Sequence, residues 1–147
     1  MAATQTADVT WEGDLLSGSG TVERVGSGVF GGLPVSWASR TETPEGRTSP
    51  EELLAAAHAS CFAMALSGGL ARAGTPPTTL TVSAAVTFDK RDDGWRVTAS
   101  ALTVRGTVPG ATAESFAAAA EATKTGCPIS KALASNVELS VEATLEA

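Results

Sequence analysis

Two cysteines are the side chains of this 147-residue sequence best suited to redox chemistry. Cys61 lies in the apolar run PEELLAAAHASCFAMALSGGLARAG (residues 50–74), and Cys127 lies in TGCPIS. A thiol among alanine, leucine and methionine is usually an inert packing group, and spacing alone leaves that alternative open for Cys61. Cys127 directly precedes Pro128, a favoured first helical residue, so we expect it at a helix N-cap, where a thiolate is stabilised. The two thiols suit a reversible dithiol–disulfide pair, although the sequence does not show that they meet.

Three further residues could support a reactive Cys61, which needs a positive charge or hydrogen-bond donors because an apolar environment raises a thiol pKa. His58 and Arg40 are candidates for the positive charge. His58 could instead be a hydrogen-bonded core histidine, and Arg40 could be a solvated charge at the end of a strand. Glu51 could orient Arg40, but it precedes Cys61 by ten residues, roughly 15 Å along one helix. If two copies of this helix cross antiparallel near alanines 55–57, Glu51 of one chain approaches Cys61 of the other. The spacing therefore suggests a site shared between subunits.

These candidates must be positioned by an α+β fold, which we predict in the order β-β-β-α-β-β-α-α-β. The segments ADVTWEG, GTVERVG and PVSWASRTE are typical of strands, and Ser49 is a good N-cap for a helix that runs to about Ala73. From Leu80 apolar residues alternate, which predicts a strand that returns through the Asp-Gly turn of KRDDGW as its partner. Two helices in 109–135 and a last strand in 136–147 complete a single domain covering 1–147.

Composition and charge exclude several function classes. The formal net charge is −6 and the ten basic residues are scattered, which argues against nucleic-acid binding. The N-terminus does not resemble a signal peptide, and the longest apolar run is interrupted by His58 and Ser60 and is shorter than a spanning helix requires, so we expect no membrane association. The sequence is therefore interpreted as cytoplasmic, where a cysteine pair is more often catalytic, redox-active or metal-binding than a permanent crosslink. A hydrophobic content of 43% suggests at least a dimer.

The motifs PEELLAAAHASCFAMALS, GCPISKAL and WEGDLLSGSGTV, together with Arg40, resemble those of the OsmC/Ohr family of thiol-dependent hydroperoxide reductases. The likeness runs over nearly the whole chain, and the arginine just upstream of the helix loop is similar to that of the OsmC branch. The resemblance implies an intertwined homodimer in which two sheets wrap central helices. It also implies reduction of organic hydroperoxides to alcohols in defence against oxidative stress.

The resemblance further implies a role for each candidate. Cys61 would be the peroxidatic nucleophile that forms a sulfenic acid, and Cys127 would resolve it as a Cys61–Cys127 disulfide. Arg40, paired with Glu51, would hold the thiolate and the peroxide from the opposite subunit. An external dithiol, of the lipoyl type in family members, would restore both thiols, and no metal or other cofactor is expected. The candidates for the substrate pocket are Leu54, His58, Phe62 and Met64.

Two other function classes remain open. Cys61, Cys127 and His58 could form part of a metal site, although a closed zinc site needs four ligands and only three soft ones are present. Alternatively, the chain is a non-catalytic dimeric binding module with an apolar ligand cleft, in which the cysteines only pack. A cysteine hydrolase is disfavoured, because no Asp or Asn is evident to orient His58. Arg47 could compete with Arg40, and the tryptophans at 11, 37 and 95 are expected to be structural.

Overall fold

The computed structural model describes residues 1–147 and contains six strands and four helices. In chain order they are β1 (Ala7–Glu12), β2 (Ser19–Val25), β3 (Gly31–Val35), α1 (Trp37–Thr41), α2 (Pro50–Arg72), β4 (Thr79–Arg91), β5 (Gly94–Thr107), α3 (Ala113–Gly126), α4 (Pro128–Leu133) and β6 (Glu138–Glu146). The predicted α+β class and the predicted order of elements are confirmed, with one added helix, α1. The chain forms two compact units, Met1–Leu53 and Leu54–Ala147, with the division falling inside α2. The single domain stays a prediction.

The first unit is built on an antiparallel sheet in the order β1-β2-β3. The prediction of one strand through PVSWASRTE is wrong beyond Val35, because Ser36 begins a helix there. The Ser36 hydroxyl accepts a hydrogen bond from the Ser39 backbone N–H at 3.1 Å, and the Ser39 hydroxyl accepts one from the Ser36 N–H at 3.1 Å. This reciprocal cap satisfies two N–H groups at the start of α1. Arg40 therefore lies on a short helix rather than at a strand end.

The start of α2 matches the sequence prediction. The Ser49 hydroxyl accepts a hydrogen bond from the backbone N–H of Glu52 at 3.1 Å, and Pro50 is the first helical residue. The Glu52 carboxylate accepts a hydrogen bond from the Thr48 hydroxyl at 2.9 Å, instead of turning back to the Ser49 backbone. After Arg72 the helix gives way to Gly74, whose φ of 88° lies in the left-handed region that glycine tolerates.

By length and composition α2 could cross a membrane, since it has 23 residues and a mean hydropathy of 1.5 over an 18-residue window. The length argument against a spanning helix therefore does not hold. Core helices of soluble proteins meet the same criteria, and α2 carries the buried row such a helix shows: His58, Phe62, Leu66 and Leu70, four residues apart. Burial within the chain covers this face of α2.

The second unit contains a sheet in the order β4-β5-β6. Strands β4 and β5 form the predicted antiparallel hairpin, whereas β5 and β6 pair in parallel. A parallel pair needs a crossover connection, and α3 and α4 supply it. The residue between these two helices is Cys127, which ends α3 and is the N-cap of α4. The crossover therefore determines where one of the two thiols lies.

The core of this unit lies between α2, α3 and the inward face of β5. Its buried residues are Phe62, Leu66, Leu70, Leu102, Val104, Val108, Phe116, Ala120 and Cys127. The inward row of β5 begins with a polar residue, since Ser100 is fully buried in line with Leu102 and Val104. A buried hydroxyl needs a hydrogen-bond partner, and that partner belongs to the site described next.

Candidate active site

The two cysteines come together in the second unit. Both are reduced, and the Cys61 Sγ and Cys127 Sγ atoms are 3.0 Å apart. Cys61 is partly exposed, whereas Cys127 is fully buried. Reacting atoms about 3–3.5 Å apart are in near-attack geometry, so the two sulfurs can form a disulfide without a rearrangement of the fold. The contact that the sequence alone could not show is therefore present.

Local structure explains how the thiols are aimed at each other. Cys127 has an extended backbone, with φ −60° and ψ 133°, and Pro128 opens α4 directly after it. The Cys127 carbonyl accepts a hydrogen bond from the Lys131 N–H at 3.0 Å, while its own N–H donates to the Thr123 carbonyl at 2.9 Å. The backbone of Cys127 is thus held by both helices of the crossover, as the prediction of an N-cap thiol required. Cys61 faces it from the middle of α2.

The electrostatics of the thiol pair favour the first negative charge on Cys127. Burial raises the pKa of Cys127, but hydrogen bonds from Cys61, from the backbone and side chain of Ser130 and from the Ile129 backbone outweigh burial, and the pKa is lowered. Burial raises the pKa of Cys61, the hydrogen bond to Cys127 and its charge raise it further, and one backbone hydrogen bond from Ile129 opposes them. A thiolate on Cys61 therefore needs a positive charge from elsewhere.

His58 does not supply that charge. Its side chain is fully buried, its Nδ1 lies 2.7 Å from Ser100 Oγ, and its Nε2 lies 2.8 Å from Ser130 Oγ. Burial lowers the pKa of the imidazole, which keeps it neutral. Because both ring nitrogens are bonded to serine hydroxyls, neither is available to a metal. His58 also has no surface for a substrate, so its expected pocket role is unsupported.

Arg40 and Glu51 form an ion pair in the first unit. Arg40 Nη2 lies 2.7 Å from Glu51 Oε1, and Arg40 Nε lies 3.3 Å and 3.2 Å from the two carboxylate oxygens. The arginine side chain is 28% exposed and the glutamate 8% exposed. The Trp37 ring lies beneath the guanidinium, with its centroid 5.6 Å from Arg40 Cζ. A fork-like carboxylate contact and an aromatic face both restrict the guanidinium, so Arg40 presents its charge in a defined direction.

An apolar cavity of about 410 Å³ opens beside this ion pair, wholly within the first unit. It is lined by Val9, Trp11, Leu15, Val35, Ser36, Trp37, Arg40 and Pro50. Apolar walls with one charged group are typical of ligand pockets. Trp11 and Trp37 therefore line a cavity, a position that the sequence did not indicate, and their structural role stays a prediction. Trp95 stacks on Phe88, with ring centroids 5.0 Å apart, as a structural tryptophan does.

The remaining predicted pocket residues lie in varied environments. Leu54 is half-buried and Phe62 is fully buried in the core, so Phe62 offers no surface to a substrate in this chain. Met64 is 70% exposed and lines a cavity of about 380 Å³ between α2 and α3, together with Arg72 and Cys127. Arg47, the second candidate anchor, is exposed in the loop before α2.

Sequence reasoning missed the two serines that bind His58. Ser100 could have been found because it occupies an inward position of a strand whose other inward residues are apolar. Ser130 stands three residues after Cys127 in CPIS, one helical turn away, where a hydroxyl can reach the thiol. In both cases the signal is a polar residue at a position that the surrounding sequence predicts to be buried.

A reduced thiol pair within bonding reach, in an α+β fold, defines a thiol-based redox protein. The family model described as OsmC-like protein matches residues 43–142 of the chain. The peroxiredoxins OsmC of Escherichia coli and of Shigella flexneri are each 43% identical to it over 129 residues, covering 88% of this chain and 89% of theirs. The chain therefore belongs to the OsmC family.

Solved structures agree with this assignment. The organic hydroperoxide resistance protein OhrB of Bacillus subtilis superimposes with a TM-score of 0.73 at 24% identity, over 95% of this chain and 98% of that one. An OsmC-like protein of unknown function from Vibrio cholerae gives a TM-score of 0.76 at 20% identity, over 97% of this chain and 100% of that one. At these identities the likeness supports the fold.

Proposed function

We propose that this OsmC-family protein is a thiol-dependent peroxidase that reduces organic hydroperoxides to alcohols and so defends the cell against oxidative stress. The curated relatives at 43% identity are peroxiredoxins, and OhrB of Bacillus subtilis is an organic hydroperoxide resistance protein. The observation that carries the proposal for this chain is the thiol pair, with sulfurs 3.0 Å apart and one of them partly exposed. A binding module whose cysteines only pack has no need of this contact.

The proposed reaction uses both sulfurs in turn. Cys61, the partly exposed thiol, attacks the outer oxygen of the hydroperoxide as a thiolate; the O–O bond breaks, an alcohol leaves, and Cys61 becomes a sulfenic acid. Cys127 then displaces hydroxide from the sulfenic sulfur, water is released, and a Cys61–Cys127 disulfide remains. A dithiol of the cytoplasm, such as a lipoyl-type dithiol, reduces the disulfide and restores both thiols.

The charge needed at Cys61 is proposed to come from Arg40 of a second chain. Within one chain the pKa of Cys61 is raised, chiefly by burial, so a guanidinium must approach to favour its thiolate. Glu51 precedes Cys61 by ten residues on α2, which is roughly 15 Å along the helix axis. At that separation Glu51 is too far away to hold an arginine against Cys61 of its own chain. A homodimer with antiparallel α2 helices would bring Arg40 of each chain to Cys61 of the other.

Subunit complementation tests the shared site. Arg40→Ala and Cys61→Ser chains are each expected to be nearly inactive, but a mixed dimer would combine the intact Arg40 of one with the intact Cys61 of the other. Random mixing gives about half mixed dimers with one complete site each, so about a quarter of the wild-type activity should return. If the mixture is no more active than the sum of its components after verified subunit exchange, the two residues act within one chain.

The apolar cavity beside Arg40 is proposed to hold the organic part of the peroxide. Trp11 lines this cavity, and its loss should weaken binding of an aromatic hydroperoxide more than binding of hydrogen peroxide. We expect Trp11→Leu to lower kcat/KM for cumene hydroperoxide about tenfold, the effect of about 1.4 kcal/mol of lost apolar contact. Trp95→Leu is the matched control, since Trp95 stacks on Phe88 outside this cavity. Equal losses for both peroxides in Trp11→Leu would contradict the assignment.

The peroxidase proposal itself is tested by mixing reduced protein with one equivalent of cumene hydroperoxide and no reductant. We expect both thiols to disappear with a mass loss of two hydrogens, a sulfenic acid on Cys61 in Cys127→Ser, and no reaction in Cys61→Ser. If both thiols survive, the cysteines are packing groups and the peroxidase proposal fails for this chain.

A further inference from the structure

A buried hydrogen-bonded chain leads from the strand β5 to Ser130, which lies three residues after Cys127 in the first turn of α4. It runs from Ser100 Oγ to His58 Nδ1 at 2.7 Å, and from His58 Nε2 to Ser130 Oγ at 2.8 Å. Hydrogen bonds from the hydroxyl and the backbone N–H of Ser130 contribute to lowering the pKa of Cys127. All four side chains are fully buried. Buried polar networks in which every member is satisfied orient their members strongly, because water cannot substitute for a lost partner.

The direction of the protons in this chain follows from counting donors. Ser130 has one hydroxyl hydrogen, and donating it to the Cys127 sulfur leaves its oxygen to accept from His58. The His58 proton is therefore assigned to Nε2, and Nδ1 accepts from the Ser100 hydroxyl. A neutral imidazole suits this arrangement, since each ring nitrogen then has one complementary partner. In this assignment, every donor in the row points towards Cys127.

We propose that Ser130 and His58 are positioning residues that stabilise negative charge on Cys127, which makes Cys127 the leaving sulfur when the Cys61–Cys127 disulfide is reduced. The inference rests on the proposed redox cycle and assigns the direction of its recycling half. A thiolate of the dithiol attacks Cys61 Sγ, a mixed disulfide forms there, and the Cys61–Cys127 bond breaks with its electron pair moving to Cys127. The second thiol of the reductant then attacks its own sulfur in the mixed disulfide, releasing Cys61 and forming the oxidised reductant.

Exposure supports the same direction. An incoming thiolate reaches the partly exposed Cys61, whereas Cys127 is fully buried. Thiol–disulfide exchange is faster when the leaving thiol has the lower pKa, and the donors around Cys127 provide that difference. The titratable groups around the Cys127 sulfur are Cys61 and His58 from α2. The charged side chain lining its cavity is Arg72, also from α2, whereas α3 and β5 contribute the uncharged Thr123 and Ser100.

The first test measures the pKa of Cys127 directly, in a Cys61→Ser background where it is the single thiol, by the ultraviolet absorbance of the thiolate against pH. We expect Ser130→Ala to raise the midpoint by about one pH unit, because a hydrogen bond to a charged group is lost. Ser130→Thr, which keeps the hydroxyl, should restore the midpoint. Ser140→Ala, on an exposed position of β6, is the matched control and should not change it. A midpoint in folded Ser130→Ala equal to that of its parent overturns the proposal.

A second pair of variants tests whether the N–H donor of His58 lowers the pKa of Cys127. These variants test the proposal even if Ser130→Ala does not fold. His58→Gln retains an N–H donor towards Ser130, whereas His58→Leu keeps an apolar side chain without one. We expect the midpoint to stay near the parent value in His58→Gln and to rise in His58→Leu. Equal midpoints in the two variants would show that His58 acts only through packing.

The second test follows the recycling step. The disulfide is formed with diamide, so the experiment does not depend on peroxidase activity, and its reduction by dithiothreitol is timed by thiol counting. Ser130→Ala should slow this reduction severalfold, whereas the disulfide of the Ser140→Ala control should be reduced at the parent rate. Brief treatment of the disulfide form with glutathione should attach glutathione to Cys61. Attachment to Cys127 would overturn the assigned direction, whereas failure of the peroxide reaction alone would contradict the proposed function and leave this result standing.

Discussion

The buried, neutral His58 makes the stability of this protein depend on pH in a way that one substitution can isolate. His58 is the only histidine in the chain, it is fully buried between two serine hydroxyls, and burial lowers its pKa from the ordinary value of 6.5. In the unfolded chain the imidazole binds a proton as the pH falls through about 6.5, whereas in the folded chain it stays neutral. The unfolded state then binds more protons, so stability falls with falling pH.

The size of the effect follows from a single proton. The free energy of unfolding should decrease by up to about 1.4 kcal/mol for each pH unit below about 6.5, until the folded imidazole also protonates. His58→Gln removes the titrating group and keeps one N–H donor towards Ser130, so this slope should be absent. No other histidine contributes, and the N-terminal amine is common to both proteins.

The assay is urea unfolding of reduced protein at a fixed protein concentration, because the proposed dimer would unfold in a concentration-dependent way. Measurements at about pH 7.5, 6.5 and 5.5 bracket the ordinary histidine pKa and stay above the range where carboxylates dominate. The comparison uses the difference in slope between wild type and His58→Gln, so any constant cost of the substitution cancels. If both proteins lose stability in parallel between these pH values, the folded imidazole titrates normally, and the argument from burial is refuted.

Three further predictions concern other parts of the fold. A Cβ added at Gly106 would lie 2.8 Å from Phe116 Cζ, so Gly106→Ala should lower the free energy of unfolding by about 1–3 kcal/mol, measured by urea denaturation. Thr112→Ala removes the side-chain cap of α3 and should cost about 0.5–2 kcal/mol in the same assay, while the total helix content of the folded protein by circular dichroism stays close to that of the wild type. Glu51→Gln removes the charge that pairs with Arg40, and it should slow sulfenic acid formation at least tenfold while folding is retained. An unchanged rate would show that the ion pair does not contribute to the reaction.

Much of the fold was predictable because local signals agreed with it. The Ser49 cap and the Pro50 start of α2, the alternation from Leu80 along β4, and the Asp-Gly turn all reflect short-range rules that tertiary contacts did not override. The segment after Val35 contains β-prone residues, which favour a strand, but it also contains a capping box that begins α1. Serine occupies both the N-cap and the N3 position of this box, whereas the usual N3 residue is Glu or Gln. The parallel pairing of β5 and β6 was not predictable, since strand direction depends on how the crossover packs.

The candidate site divides in the same way. The N-cap position of Cys127 follows from the proline after it, but its contact with Cys61 joins residues 66 apart and depends on the fold. His58 was interpreted from its neighbours on α2, and its true partners come from β5 and α4. Residue types at helical spacing therefore indicate which side chains share a face. They do not indicate what the opposite element brings to that face.

The 3.0 Å separation of the two sulfurs affects how well Cys61 resists irreversible oxidation by the peroxide substrate. A sulfenic acid on Cys61, formed as proposed, can be captured by Cys127 at once or can meet a second peroxide and become a sulfinic acid, which ordinary thiols do not reverse. Capture is intramolecular and starts from near-attack distance, whereas the second oxidation depends on peroxide concentration. The closeness of the thiols therefore favours completed turnovers over irreversible inactivation, and it should allow many catalytic cycles at peroxide levels that would exhaust a single-cysteine site.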